Sequence, residues 1–205
     1  MTTWIRRYTA GERSNHWMVA IFFVLASLSG LALFHPAFFF FAHLFGGGTW
    51  DRILHPFIGV FLVLFFIGLA GRFWRDNGFN HADRVWMQHI DDELCNRDDR
   101  LPEVGKNNAG QKIVFWAVVV MIPTLLISGI VFWQPWFAPY FPVGLRRVAV
   151  VVHALIAWLM ILVIIVHVYA GIWVKGSIRA MTRGTVSEAW ARHHHRAWYR
   201  ELTGK

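Results

Sequence analysis

Four long stretches of this chain contain no charged residue, and they predict its architecture. They cover residues 14–50, 53–71, 113–145 and 148–174. A helix rises about 1.5 Å per residue, so about 20 apolar residues cross the hydrocarbon core of a bilayer. We therefore predict an all-α integral membrane protein with four transmembrane helices. The spans are expected at about 16–34, 53–72, 113–133 and 148–174.

The composition agrees with this class and excludes others. Of the 205 residues, 56% are hydrophobic and only 16% are charged, which is more apolar surface than a soluble domain of this size can bury. The strands of a transmembrane β-barrel would alternate between apolar and polar residues. The one cysteine, Cys95, permits neither an internal disulfide nor a Cys-x-x-Cys-His attachment of haem. Any haem would therefore be bound non-covalently.

The basic residues divide unequally between the two sides of the predicted membrane. Of the 20, three flank the outer side, namely Arg52, Arg146 and Arg147. The other 17 are Arg6, Arg7, Arg13, Arg72, Arg75, Arg84, Arg97, Arg100, Lys106, Lys112, Lys175, Arg179, Arg183, Arg192, Arg196, Arg200 and Lys205. The positive-inside rule then places both termini, the central loop 73–112 and the tail 175–205 in the cytoplasm, around a single membrane domain of residues 1–205.

The basic residues cluster beside the spans, so the net charge of +8 indicates lipid headgroups as partners rather than nucleic acid. In the central loop Trp86, Ile90 and Leu94 recur at helical spacing among acidic residues, which predicts a short amphipathic segment on the cytoplasmic surface. The tail histidines 193–195 have no partner cysteines and are expected to be solvated rather than to bind a metal.

The charge-free stretches contain no Asp, Glu, Lys or Arg, and histidine is the residue type in them that suits a metal or proton site. His16 opens span one at the cytoplasmic end, and His55 opens span two at the outer end. His153 and His167, both in span four, lie fourteen residues apart, which is about 21 Å of rise on nearly the same helix face. His153 is therefore expected at the depth of His55, and His167 at the depth of His16.

Paired imidazoles across a helix bundle are well suited to haem iron. Two neutral nitrogens fill both axial positions, which favours electron transfer over oxygen activation. Zinc fits less well, because two histidines at each depth fall short of its usual four ligands. The alternative is that the histidines only form hydrogen bonds between helices.

Several motifs, in order and spacing, resemble one family. They are RYTAGERSNHW at 7–17, RILHPFIGV at 52–60, NAGQK at 108–112, HVYAGIWVKGSIRAM at 167–181 and WYRE at 198–201. Together they cover nearly the whole chain and resemble the gamma subunit of membrane-bound respiratory formate dehydrogenase. That subunit is a di-haem cytochrome b that reduces quinone.

The resemblance implies two b haems and a quinone site. His55 and His153 would bind the outer haem iron, and His16 and His167 the inner haem iron. Asn108 and Gly110, with His167, would bind quinone near the inner haem. A purely structural role for Asn108 and Gly110, at the entry to span three, is equally compatible with the sequence. Asn107 stands where relatives usually have an aromatic residue, and Arg196 where they often have proline.

The resemblance also implies the setting. A molybdenum- or tungsten-containing alpha subunit would oxidise formate outside the bacterial cytoplasmic (inner) membrane, and an iron-sulfur beta subunit would pass the electrons to this multi-pass chain. The chain would then be an electron-transfer subunit, and not an enzyme on its own.

Three other functions remain open from the sequence. The first is the cytochrome b subunit of a membrane-bound, quinone-reducing hydrogenase, which NAGQK and WYRE disfavour. The second is a haem-free anchor or channel. The third is a free-standing oxidoreductase, which the apolar outer loops disfavour. The four phenylalanines at 38–41 in these loops fit contact with lipid or with another subunit equally well.

Overall fold

The computed structural model of the chain describes residues 3–95, 97 and 101–204. Arg100 and Lys205, two of the basic residues used for the topology, lie outside the described residues, as does the side chain of Leu94. The internal contacts form two compact units. One comprises the described parts of Met1–Arg13, Arg72–Ala117 and Val166–Lys205, and the other comprises Ser14–Gly71 and Val118–Ile165.

Helices make up most of the described chain. They are α1 (Ala10–Phe34), α2 (Gly48–Phe73), α3 (His81–Gln88), α4 (Ile90–Leu94), α5 (Ala109–Phe132), α6 (Val143–Trp173), α7 (Ser177–Arg183), α8 (Glu188–His194) and α9 (Arg196–Thr203). Short 3-10 helices cover Pro36–Phe45, Arg75–Asn77 and Ala138–Tyr140, and two short strands are β1 (Trp4–Arg6) and β2 (Thr185–Ser187).

The helices α1, α2, α5 and α6 contain the four predicted spans and confirm the fold class. They are 24 to 31 residues long and strongly apolar, yet no more than 22% of the most apolar window of each is buried within the chain. Helices that are apolar on all sides and left uncovered by protein need a lipid environment. Each begins four to six residues before the predicted span, because the helix continues past the charge-free stretch into polar residues.

In the unit formed by Ser14–Gly71 and Val118–Ile165, aromatic side chains join neighbouring elements. Phe22 of α1 stacks on Phe61 and Phe65 of α2, with ring centroids 5.6 and 5.3 Å apart. In the 3-10 helix after α1, Phe38 packs against Trp158 of α6 at 6.4 Å. Part of the phenylalanine run therefore has a partner within this chain, whereas Phe40 is 59% exposed.

In the other unit, the N-terminal segment is tied to the C-terminal tail. Strand β1 pairs antiparallel with β2, with Trp4 opposite Ser187. The backbone N–H groups of Arg7 and Tyr8 donate to the carbonyl of Gly184 at 2.8 and 3.2 Å. Gly184 has a φ of +79°, and a Cβ there would lie 2.6 Å from the Tyr8 carbonyl oxygen. Only glycine fits this junction.

The central loop folds back onto the first turns of α5. The Lys112 ammonium donates to the Asp83 carboxylate at 2.8 Å, and both side chains are almost fully buried. Asp83 also accepts from the backbone N–H of Asn80, in the capping box that starts α3. Because each buried charge has a partner, the ion pair fixes α3 against α5; removal of either partner would leave an uncompensated buried charge.

The prediction of one amphipathic helix on the cytoplasmic surface is wrong in its details. The segment forms two helices, α3 and α4, separated at His89. Trp86 is buried in a cluster with Val104 and Ala109 rather than laid on a membrane. Its helical spacing with Ile90 signals an apolar face, but the chain's own loop covers only the Trp86 end of that face, and Ile90 is exposed.

The expectation that the tail histidines are all solvated is wrong for His195. His193 is exposed, but His195 is only 3% exposed and its Nδ1 lies 2.8 Å from the Gly105 carbonyl oxygen. The Arg7 guanidinium is buried among three rings, with centroids 5.1 Å away for Trp190 and Trp198 and 5.4 Å for Tyr8. Burial and the nearby positive charge of Arg7 lower the pKa of His195 to about 3.

This burial predicts that acid loosens the tail. An imidazole that titrates near 6.5 when unfolded and near 3 when folded leaves the unfolded state with more bound protons between those values. The stability is therefore fully present above about pH 6.5. It falls as the pH drops toward 3, by up to about 1.4 kcal/mol per pH unit. Hydrogen exchange of α8 and α9, measured in nanodiscs at pH 7 and pH 5, should be faster at pH 5.

His195→Asn retains a donor for the Gly105 carbonyl but cannot titrate, so it should abolish this pH dependence. His193→Asn, an exposed neighbour, is the matched control and should leave the dependence intact. An unchanged response in His195→Asn would contradict the assignment.

Candidate functional site

The structure brings two of the predicted ligand histidines together. His55 of α2 and His153 of α6 have ring centroids 6.2 Å apart, with an angle of 72° between the ring planes. A metal ion bonded to one nitrogen of each ring at about 2.1 Å places the ring centres roughly 6 Å apart. The pair therefore has the spacing of two ligands on opposite sides of one ion.

The neighbouring residues bear on which metal this pair suits. Nowhere in the described part of the chain do three or more His, Cys, Asp or Glu residues come together to bind a metal ion. A zinc ion that takes four protein ligands finds too few at this place. Haem iron needs only two axial ligands from the protein, so the histidine pair fits haem.

A serine fixes which nitrogen of His55 is free. The Ser29 hydroxyl lies 2.8 Å from the Leu25 carbonyl oxygen and 2.8 Å from His55 Nδ1. The hydroxyl has one proton, and a carbonyl can only accept, so Ser29 donates to Leu25 and accepts from Nδ1–H. The lone pair of His55 then lies on Nε2, where it can bind iron.

The same device serves His153. The Ser128 hydroxyl lies 2.6 Å from the Thr124 carbonyl oxygen and 3.1 Å from His153 Nδ1. By the same proton count, His153 Nδ1–H donates to Ser128 and Nε2 is left for iron. The two ligands thus have matching tautomers, each set by a serine from a neighbouring helix.

A glycine follows each serine and lets the ring approach the helix backbone. A Cβ at Gly30 would lie 3.1 Å from His55 Cε1, and one at Gly129 would lie 3.4 Å from His153 Cε1. The Ser-Gly dipeptides, one in α1 and one in α5, were not predicted as site residues. The signal in the sequence is that the same polar dipeptide recurs in two apolar spans.

The inner pair, His16 and His167, remains a prediction. His16 lies in α1 and packs edge-on against Trp17 with ring centroids 5.6 Å apart. His167 lies in the same helix as His153, and its side chain is exposed in the isolated chain. The two residues belong to different compact units, and each is described within its own.

The residues predicted to bind quinone have clear local roles. Asn108 caps α5, since its Oδ1 accepts from the Gln111 N–H at 3.0 Å while Gln111 Oε1 accepts from the Asn108 N–H at 3.0 Å. A Cβ at Gly110 would lie 3.2 Å from the Trp86 ring. Both residues therefore have structural roles at the start of α5, Asn108 in the cap and Gly110 in packing against Trp86. The Asn108 Nδ2 group takes no part in the cap and can still donate to a ligand.

Asn107, at the position where the resemblance expects an aromatic residue, is buried and donates to Asn77 Oδ1 at 3.1 Å. The Asn77 side-chain amide in turn donates to the Phe73 carbonyl at 2.8 Å, and the backbone carbonyl of Asn77 accepts from Trp116 Nε1 at 2.9 Å. An aromatic side chain at 107 would leave Asn77 Oδ1 without this donor. Asn107, which replaces the aromatic residue usual in relatives, is therefore accommodated by its hydrogen bond to Asn77.

Comparison with known proteins places these features in a wider group. Residues 7–184 match the prokaryotic cytochrome b561 family. The chain is 43% identical to the cytochrome b556(fdo) subunit of a formate dehydrogenase of Escherichia coli strain K12, over 97% of this chain and 93% of that one. It is 39% identical to the cytochrome b556(Fdn) subunit of the nitrate-inducible formate dehydrogenase of that strain, over 93% and 88%. A formate dehydrogenase cytochrome b556 subunit of Haemophilus influenzae is 36% identical, over 97% and 84%.

The serine contacts predict a specific loss in Ser29→Ala and Ser128→Ala. Without the acceptor, Nδ1–H of the adjacent histidine is left without a partner and the ring can turn. If His55 and His153 hold a haem, its affinity should therefore fall by about 10- to 100-fold. Haem per chain, measured by the pyridine haemochrome method after detergent washing, should drop in both variants.

Ser27→Ala, which changes the same residue type in α1, is the matched control and should retain full haem content. Full retention in both Ser29→Ala and Ser128→Ala as well would show that the serines do not orient the ligands.

Proposed function

Because the chain belongs to the prokaryotic cytochrome b561 family, we propose that it is the di-haem cytochrome b subunit of a membrane-bound respiratory formate dehydrogenase. The observation that carries the proposal is the His55–His153 pair, spaced for one iron, in a chain 43% identical over nearly its whole length to such a subunit. The haem supplies a one-electron carrier. Everything else in the site comes from the residues of this chain.

His55 and His153 bind the outer haem iron, and Ser29 and Ser128 hold both rings with Nε2 facing the iron. With His55 and His153 both as ligands, the haem would serve as an electron carrier and not as a centre for oxygen activation. The apolar helices exclude water around the rings, which keeps the imidazoles neutral and able to act as ligands. His16 and His167 bind the inner haem iron in the same way.

Electrons reach the outer haem from an iron-sulfur beta subunit, which receives them from a molybdenum- or tungsten-containing alpha subunit that oxidises formate. This chain anchors that assembly in the bacterial inner membrane, with both termini in the cytoplasm as the 17 to 3 division of basic residues indicates. It has no catalytic site for formate of its own.

Quinone is reduced near the inner haem, at the N-terminal end of α5. The Asn108 Nδ2 group donates a hydrogen bond to a quinone carbonyl, and Gly110 offers its backbone N–H, one of the first-turn donors of α5. The Trp86 ring fills the side of Gly110 where a Cβ would point. Since the cap already uses Asn108 Oδ1, the side chain is held in place by α5 and its amide N–H is pre-oriented. Lys112 and Asp83, paired beside it, fix the same helix end.

This arrangement conserves energy if protons for the quinone come from the cytoplasm. Electrons then move inward across the membrane while protons are taken up inside. Each charge crosses the potential at about 2.3 kcal/mol per 100 mV. The complex would thereby contribute to the proton motive force.

The two histidine pairs predict different failures in the purified complex. His153→Ala should lose the outer haem, so haem content should halve and formate should no longer reduce the inner haem. His167→Ala should lose the inner haem instead, so formate should still reduce the outer haem while quinol formation stops. Haem content and formate-reduced absorption spectra measure both. Retention of two haems in His153→Ala would refute the ligand assignment.

Asn108 offers a substitution that separates the two roles. Asn108→Asp keeps an oxygen that can cap α5 but loses the amide donor, so quinone reduction should slow at least about tenfold, the value of one hydrogen bond. Gln111→Ala breaks the other half of the cap without touching that donor, so it should leave the rate near that of the wild type. Equal effects of the two substitutions would make Asn108 a capping residue alone.

A further inference from the structure

One basic side chain near the outer histidine pair has a buried atom with no partner. Arg146 lies at the end of the first turn of α6, and its Nε atom is buried without a hydrogen-bond partner in the part of the chain that the structure describes. A guanidinium is always charged, and burial of part of it without an acceptor costs free energy. Such a group is expected to face an anion that completes the site.

The position of Arg146 relative to His153 is fixed by the helix. Seven residues separate them, which is about 10.5 Å of rise and only about 20° short of two full turns. Arg146 therefore lies on the helix face that carries His153, toward the N-terminal end of α6. By the predicted topology, that end is the outer end.

A cavity of about 500 Å³ adjoins Arg146. Its walls include Phe132, Arg146, Arg147 and Val150. Phe132 also packs edge-on against the His153 ring, with centroids 5.3 Å apart. The cavity is widely open and lies next to the His153 ring, the proposed ligand of the outer haem.

Haem b carries two propionate groups on one edge. We propose that Arg146 pairs with a propionate of the outer haem and, by neutralising it, raises the reduction potential of that haem. The proposal rests on the assignment of the outer haem to His55 and His153. A guanidinium suits this role because it presents a fork of donors that matches a carboxylate.

A second charged residue with buried atoms in the same unit, Asp51, has to be distinguished from Arg146. Asp51 lies in the first turn of α2, one helical turn before His55, and is fully buried with both oxygens lacking a partner among the described residues. Asp51 and Arg146 form no ion pair with each other, so each still needs a hydrogen-bond partner for its buried atoms. A propionate satisfies Arg146 and not Asp51, which makes the two side chains separable by experiment.

The test is a redox titration of both haems in the intact complex, with absorption spectroscopy as the readout of haem reduction. Arg146→Gln should lower the potential of the outer haem by about 59 mV, which is a tenfold shift of a one-electron equilibrium. The inner haem should not change. Arg52→Gln removes the same charge from an exposed position that does not line this cavity and should produce little shift. Arg146→Lys should restore most of the wild-type value.

Resonance Raman spectra add a readout that does not depend on assembly or activity. The propionate bending band of the outer haem should move in Arg146→Gln and stay in place in Arg52→Gln and Asp51→Asn. Equal potential shifts in Arg146→Gln and Arg52→Gln, or a band that moves only in Asp51→Asn, would overturn the inference. A wild-type complex without an outer haem would instead refute the proposed function, and two haems with an unshifted potential would refute only the role of Arg146.

Discussion

An imidazole placed among apolar helices needs a partner for each of its two ring nitrogens, because water is not there to supply one. This requirement organises the outer site. In α2 and α6 the Nδ1–H groups of His55 and His153 are satisfied by Ser29 and Ser128, which are themselves anchored to carbonyls of α1 and α5. What remains on each ring is an Nε2 lone pair. Four helices thus supply the two histidines and the two serines that orient them, and in the proposed function iron is the second partner of each ring.

The unit that contains the central loop and the tail satisfies its buried polar groups in a different way. There the polar groups are buried in pairs within the chain. Asp83 binds Lys112, Asn107 binds Asn77, and Arg7 is surrounded by aromatic rings. Together with the hydrogen bonds of Arg7 to the Lys106 carbonyl and of His195 to the Gly105 carbonyl, these contacts connect the N-terminal segment, the central loop and the tail beside the start of α5. The residues proposed to bind quinone therefore stand on a helix end that three separate segments hold.

The sequence predicted the four long helices and the proximity of His55 to His153 because both depend on regular helix geometry. Fourteen residues between His153 and His167, and gaps free of charge, translate directly into rise and depth. The sequence of one helix does not predict which side chains of another helix it contacts. The roles of Ser29 and Ser128 were therefore missed, even though the Ser-Gly dipeptide occurs in both spans. His195 and Trp86 were misjudged because their polar surroundings in sequence do not reveal that distant segments cover them. The pairing of His16 with His167 stays a prediction.

The most direct measurement is a difference spectrum of membranes that contain the chain with its partner subunits. The account predicts that formate reduces both b haems, with Soret and α-band changes equal to those produced by dithionite, and that hydrogen does not. Reduction by hydrogen and not by formate would contradict it and would favour a hydrogenase cytochrome b. The absence of any Soret band in the purified chain would contradict the haem site itself.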